Sequence, residues 1–168
     1  MISGQPAILP RPVLLLAGYG NSPFERFTAA LIPLDLDLAL DVRITPYGWD
    51  ERYRGERFLR EIELTGAAPR ARHAVGLGNL GHQDKGPMRL ADPAQLDLLV
   101  TRLSEGLRVV VICGCAQGSS CHRALIGREI LLRAPDVPIF ELGPVGRSGP
   151  LPQPRLFESS DRSDSEAE

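Results

Sequence analysis

Residues 109–123, Val-Val-Val-Ile-Cys-Gly-Cys-Ala-Gln-Gly-Ser-Ser-Cys-His-Arg, hold all three cysteines of the chain, one of its three histidines and an arginine. Val109 to Ile112 is a β-branched apolar run and reads as a buried strand. A small polar turn with two glycines follows. A helix is expected from Ser119 or Ser120, with Cys121, His122 and Arg123 in its first turn. Strand, glycine-containing loop and helix N-terminus is the arrangement that aims free backbone N–H groups at an anion. A thiol at that place, beside cationic side chains, is drawn toward thiolate and suits a nucleophile or a redox thiol. A cysteine that only packs the helix start against the strand would look the same.

The neighbouring chemistry has a similar double reading. Cys113, Cys115, Cys121 and His122 are donors of the kind zinc takes. Adjacent helical residues point about 100° apart, which hinders Cys121 and His122 from sharing an ion, so no metal is assigned. A standing Cys113–Cys121 disulfide is disfavoured in the cytosol. Arg123 in a first helical turn opposes the dipole; an anionic ligand, or an ion pair with Asp41, would account for it. Asp41 and Arg43 lie two apart and so share a face of their strand. Asp41 then reads as a general base with His122 as its acid partner, or as a structural ion pair. The catalytic candidates are Asp41, Cys121, His122 and Arg123. The ligand-binding candidates are Tyr19, Asn21, Arg43, Asn79 and Cys113. His82, Asp84 and Lys85, in a long polar loop, read as a lid or as a solvated turn.

The elements that must position these residues follow from periodicity and punctuation. Val13 to Ala17 is a first strand, and Ser22-Pro23-Phe24-Glu25 reads as a capping box opening a helix. A second strand is expected over 38–43, a helix over the second half of 51–64, and a weaker strand over 73–77. Asp92-Pro93-Ala94-Gln95 repeats the capping signal ahead of Leu96, Leu99, Val100 and Leu103. The strand at 109–113, a helix to Arg133 and a strand over 137–142 complete the order. Apolar strands without alternation, separated by amphipathic helices, predict a single-domain, three-layer α/β fold. Its sheet is mostly parallel, of about five strands, with helices on both faces. Ligands bind such sheets beyond the carboxyl ends of the strands, and four polar segments follow strand ends here.

Residues 1–12 read as a flexible N-terminal arm, 13–142 as the α/β domain, and 143–168 as an extended or disordered acidic tail. Apolar content of 43% and charged content of 24% are those of a soluble globular protein. A net charge of −2 gives no strong nucleic-acid signature. No apolar run reaches membrane-spanning length and no secretory leader is recognisable, so a cytoplasmic protein without a membrane partner is expected. All but one of the nineteen basic residues are arginine, the exception being Lys85. A bias so uniform reflects genome composition, and arginine counts therefore say little about phosphate binding.

Four segments together resemble the domain-of-unknown-function family numbered 488. They are Gly18-Tyr19-Gly20-Asn21-Ser22, Asp41-Val42-Arg43 followed by Pro46, Leu77-Gly78-Asn79, and Cys113 followed by Cys121-His122-Arg123. The resemblance covers residues 13–134 and implies an intracellular, bacterial type of protein with a site at these motifs and no assigned reaction. Three positions depart from it: Cys115 where the family commonly has an acidic residue, Gly48 where it has Ser, and Asn79 where it has a second Gly. The expected function is an enzyme or binder of a small anionic ligand, nucleotides and nucleosides among them. A non-catalytic regulatory module and a cysteine-based metal or redox protein are the alternatives. No cofactor is specified.

Overall fold

The computed structural model describes residues 8–115 and 121–158. The expected helix start at Ser119 or Ser120, residues 1–7 of the arm and 159–168 of the tail lie outside the described residues. The fold is α/β, built on one mostly parallel sheet.

Two apolar runs form the middle of that sheet. β1 (Val13–Gly18) and β4 (Arg108–Cys113) are buried at every position. They pair in parallel from Val13 with Arg108 to Gly18 with Cys113. β4 also pairs with β2 (Leu38–Asp41), which pairs with the edge strand β3 (Ala71–His73). β5 (Ile139–Glu141) lies beside β1, and β6 (Arg155–Leu156) closes that edge antiparallel to β5. The order is β3-β2-β4-β1-β5-β6.

The apolar runs feed two cores because successive side chains alternate across the sheet. Val13, Leu15 and Ala17 of β1, with Val110 and Ile112 of β4, face one layer. There they meet Phe24, Phe27 and Leu31 of α1 (Phe24–Leu31) and Phe58 and Ile62 of α2 (Gly55–Thr65). Leu14, Leu16, Val109, Val111 and Cys113 face the opposite layer. They pack on Leu96, Leu99 and Leu103 of the fourth helix and Ile126 and Ile130 of the fifth. A one-turn helix, α3 (Gly81–Asp84), precedes these two, which are α4 (Gln95–Ser104) and α5 (His122–Arg133).

Several expected boundaries move, each for a local reason. β2 stops at Asp41 rather than Arg43, because the Asp41 carboxylate accepts the Arg43 backbone N–H at 3.1 Å and turns the chain. β3 is Ala71–His73, and Val75–Leu77 is a 3₁₀ turn that drops Leu77 into the core. Ser22 does not cap α1. Pro23 occupies that position without a side-chain cap bond, and Ser22 is buried with its carbonyl accepting the Tyr53 hydroxyl at 2.7 Å. Asp92 caps the turn before α4, accepting from the Ala94 N–H at 3.1 Å. Cys121 is the N-cap of α5, so His122 and Arg123 alone are in the first turn.

The flanking segments are more closely held than their composition suggests. Leu9 is buried, and its carbonyl accepts from the Arg108 guanidinium at 2.8 and 3.0 Å. After β5 the chain straps across α1. The Arg26 guanidinium donates to the carbonyls of Val145, Gly146, Ser148 and Gly149. Leu9, Leu142 and Val145 also pack into the core, as isolated apolar residues that show no helical or strand periodicity. Among the described residues no helix is long and apolar enough to cross a membrane.

Candidate functional site

The neighbouring strands β2, β4 and β1 end level, with Asp41 paired to Ile112 and Gly18 to Cys113. A cavity of about 570 Å³ opens above their carboxyl ends. Cys113, Gly114, Cys115, Cys121 and His122 line it from β4 and α5, and Tyr19 and Gly20 from the turn after β1. Arg43 to Thr45 and Tyr47 to Trp49 line it from the loop after β2, and Asn79, His82 and Gln83 from the long loop. The four polar segments therefore meet at one place. Of the candidate residues, Tyr19, Arg43, Asn79, Cys113, Cys121 and His122 line the cavity. Asp41 and Arg123 are buried outside its lining, and Asn21 is exposed and apart from it.

Asp41 and Arg43 form a closed pair. Arg43 Nε donates to Asp41 Oδ1 at 2.8 Å and Nη2 to Oδ2 at 2.7 Å. Nη1 donates to the Tyr53 carbonyl at 2.6 Å, the Tyr19 hydroxyl at 2.8 Å and the Tyr47 carbonyl at 3.2 Å. The guanidinium lies 4.7 Å from the centre of the Phe58 ring, and Tyr19 stacks on Tyr53 at 4.0 Å between centroids. Burial acts to lower the Arg43 pKa, but the hydrogen bonds and charge of Asp41 together with the Tyr19 contact outweigh it and the net direction is upward. Burial pushes the phenols of Tyr19 and Tyr53 above the ordinary range.

This geometry corrects two expectations. Asp41 does not pair with Arg123, since both its oxygens are taken by Arg43, the cation held nearest on the same strand face. Nor does Asp41 pair with His122, whose Nε2 lies 3.0 Å from the Val42 carbonyl. The carbonyl can only accept, so Nε2 donates to it and the ring is held in one orientation. Nδ1 lies 3.4 Å from Cys121 Sγ.

The sulfurs form the second centre. Sγ of Cys113 and Cys121 are 3.1 Å apart, and the three Sγ atoms of Cys113, Cys115 and Cys121 lie within 4.8 Å of one another. Cys113 and Cys121 are buried and Cys115 is partly exposed. Hydrogen bonds from Cys113 and Cys115 hold the Cys121 thiol well below the ordinary range. Burial pushes Cys113 well above it. For Cys115 the bond to Cys113 acts downward, but the bond to Cys121 and partial burial prevail and the direction is upward. Three sulfurs so placed are donors for a thiophilic metal ion.

Arg123 lies beside this cluster, 3% exposed. Its Nη2 donates to the Cys115 carbonyl at 3.3 Å, and its Nε has no hydrogen-bond partner. Among the described residues it makes no ion pair, and residues 116–120 carry no carboxylate. Gly18 makes room for it. A Cβ there would stand 1.9 Å from the Cys115 carbonyl oxygen and 2.6 Å from Arg123 Nη1. Asn79 has an organising part: its Oδ1 accepts the N–H groups of Gly81 at 2.9 Å and Arg89 at 3.2 Å, and so shapes the long loop.

Sequence reasoning missed Tyr53, Tyr47 and Trp49. Tyr53 is fully buried and ties α1 to the loop after β2. Tyr47 and Trp49 are exposed beside the cavity they line. Two large aromatics next to a glycine in a loop leaving a strand end were the available signal. No protein-family model, curated protein or solved structure matches the chain.

Proposed function

We propose that the protein binds a small anionic molecule of nucleotide type in the strand-end cavity and acts on it with Cys121 as nucleophile. The observation that carries this reading is the placement of Cys121 in the lining of a concave, aromatic-walled cavity, with its Sγ 3.4 Å from His122 Nδ1. A cavity of about 570 Å³ falls in the range of small-molecule sites and favours a ligand over a flat docking rim. The exposed rings of Tyr47 and Trp49 offer a stacking surface for a base. Arg54 lies 4.8 Å from the Tyr47 ring centre and Arg147 lies 5.8 Å from that of Trp49, which gathers positive charge on this wall. The resemblance to the family numbered 488 and a cytoplasmic location belong to the same proposal. The test is a nucleotide and nucleoside panel against metal-free protein, read by the fluorescence of Trp49, the only tryptophan, and by alkylation of Cys121. A binding member should quench Trp49 and slow alkylation, and Trp49→Ala should weaken that protection. If no member of the panel does either at millimolar concentration, the reading fails.

A further inference from the structure

The same three sulfurs carry an inference beyond the small-ligand reading. In a tetrahedral zinc site the Zn–S bonds are about 2.3 Å, which sets ligand sulfurs roughly 3.8 Å apart. The three Sγ atoms here bracket that spacing, from 3.1 Å between Cys113 and Cys121 to an upper limit of 4.8 Å for the set. Two of them are fixed by the fold: Cys113 ends the central strand β4, and Cys121 is the N-cap of α5. Cys115 stands between them on the loop, close enough for its backbone carbonyl to accept from Arg123.

Arg123 is an independent observation. A buried cation without a carboxylate is costly unless negative charge faces it. Among the described residues its Nε is unpartnered, at 3% exposure. Three thiolates around one divalent ion carry a single net negative charge, which one guanidinium balances. His122 adds a supporting feature. Its Nε2–H on the Val42 carbonyl fixes the ring and leaves Nδ1 3.4 Å from Cys121 Sγ, an outer contact of the kind that orients ligands at metal sites.

We propose that Cys113, Cys115 and Cys121 hold one divalent thiophilic ion, zinc(II) above all, as a trithiolate centre whose fourth coordination position opens to the cavity. The protons that the three cysteines still carry are released as the ion binds. Sites with three protein ligands and an open fourth position are those at which zinc meets a substrate or water. With metal bound, Cys121 is a ligand; only the metal-free protein presents it as a nucleophile. Metal occupancy thus decides which chemistry the cavity floor performs.

The experiment titrates fully reduced protein with cobalt(II) and then with zinc(II). One equivalent of cobalt should raise a thiolate-to-cobalt charge-transfer band, and zinc should displace it and shield all three thiols from a disulfide reagent. Cys115→Ser is the variant to make first, because Cys115 is the only one of the three that is partly exposed and serine is close to it in size. It should weaken cobalt binding by at least the roughly 10–100-fold that removing an outer-shell partner costs. Thiols of the native chain that react freely in excess zinc overturn the proposal, and so does a cobalt band unchanged in Cys115→Ser. The native-chain thiol assay decides the matter even if the variant does not fold. Nucleotide quenching of Trp49 in metal-free protein reports on the small-ligand reading alone, so either proposal can fail without the other.

Discussion

Two arginines are buried at the carboxyl ends of the same sheet, and their surroundings are opposite. Arg43 is 7% exposed, grips both oxygens of Asp41 and donates to three further oxygens. Among the described residues Arg123, 3% exposed, donates to one carbonyl at 3.3 Å and leaves its Nε without a partner. A polar network satisfied at every atom rigidifies the structure around it. A charged group held dry and partly unsatisfied needs a reason to stay. The Asp41–Arg43 centre therefore reads as the frame of the cavity, and the sulfur–Arg123 centre as the place where charge is held ready for a bound group. Both began as candidate chemistry; only the second keeps that standing.

The contrast breaks first at Asp41. Asp41→Asn leaves Arg43 buried and uncompensated, and breaking one side of a buried pair costs about 3–5 kcal/mol. Urea denaturation should show a loss of that size with the m-value retained. A loss under about 1 kcal/mol would mean that Arg43 is not locked by Asp41, and the two centres would no longer differ in kind.

Gly18→Ala tests the other centre from below. The added methyl would stand 1.9 Å from the Cys115 carbonyl oxygen, a backbone atom that cannot rotate away. Overpacking of this kind costs about 1–3 kcal/mol. The loop carrying Cys115 should shift, so thermal stability should fall and the reaction rates of the three thiols should diverge. Unchanged thiol rates would show that the cluster does not depend on this close approach.

A smaller effect comes from the phenols of the frame. Burial raises both Tyr19 and Tyr53, so each is favoured in its neutral form by folding. Their contribution to stability is complete below the ordinary tyrosine value near 10 and is lost as pH climbs from there toward the folded values. Tyr53→Phe removes the bond to the Ser22 carbonyl and should cost about 0.5–1.5 kcal/mol at neutral pH. It should also flatten the alkaline loss of stability, since one of the two ionisations that oppose folding is gone. An alkaline limb identical to that of the native chain would show that Tyr53 is not part of it.

Much of this frame was legible in the residues. Continuous apolar runs at 13–17 and 109–113 gave buried parallel strands, because a sheet covered on both faces needs apolar side chains in both directions. The meeting of four polar segments followed from strand ends alone. Less legible was which cation pairs with which anion. Asp41 has Arg43 two residues away and Arg123 from a neighbouring element, and only the side-chain paths decide between them. The convergence of three sulfurs was equally hidden. Helical spacing treats Cys121 and His122 as first-turn neighbours, whereas Cys121 is the N-cap with extended dihedrals and turns its sulfur toward Cys113. β6 and the strap before it were invisible for a different reason: backbone carbonyls and a few isolated apolar side chains hold them, and these leave no periodic residue pattern.

The smallest change in stability separates the two arginines most sharply. Arg123→Met keeps most of the side-chain volume, removes the 3.3 Å hydrogen bond to the Cys115 carbonyl and relieves a buried charge that has no carboxylate partner among the described residues. Replacing buried ionic groups with apolar residues of similar volume is often neutral or stabilising. The urea midpoint should therefore stay within about 1 kcal/mol of the native value, in contrast to the result expected at Asp41. The charge of Arg123 acts downward on the thiols of Cys113 and Cys115, so without it both should ionise less readily. Cobalt binding should weaken by roughly 10–100-fold, the range for an outer-shell partner. Stability retained with metal binding weakened is the signature of a charge kept for its site. A variant that unfolds instead would place Arg123 in the frame beside Arg43, and its missing partner would then have to be sought in the protein rather than in a ligand.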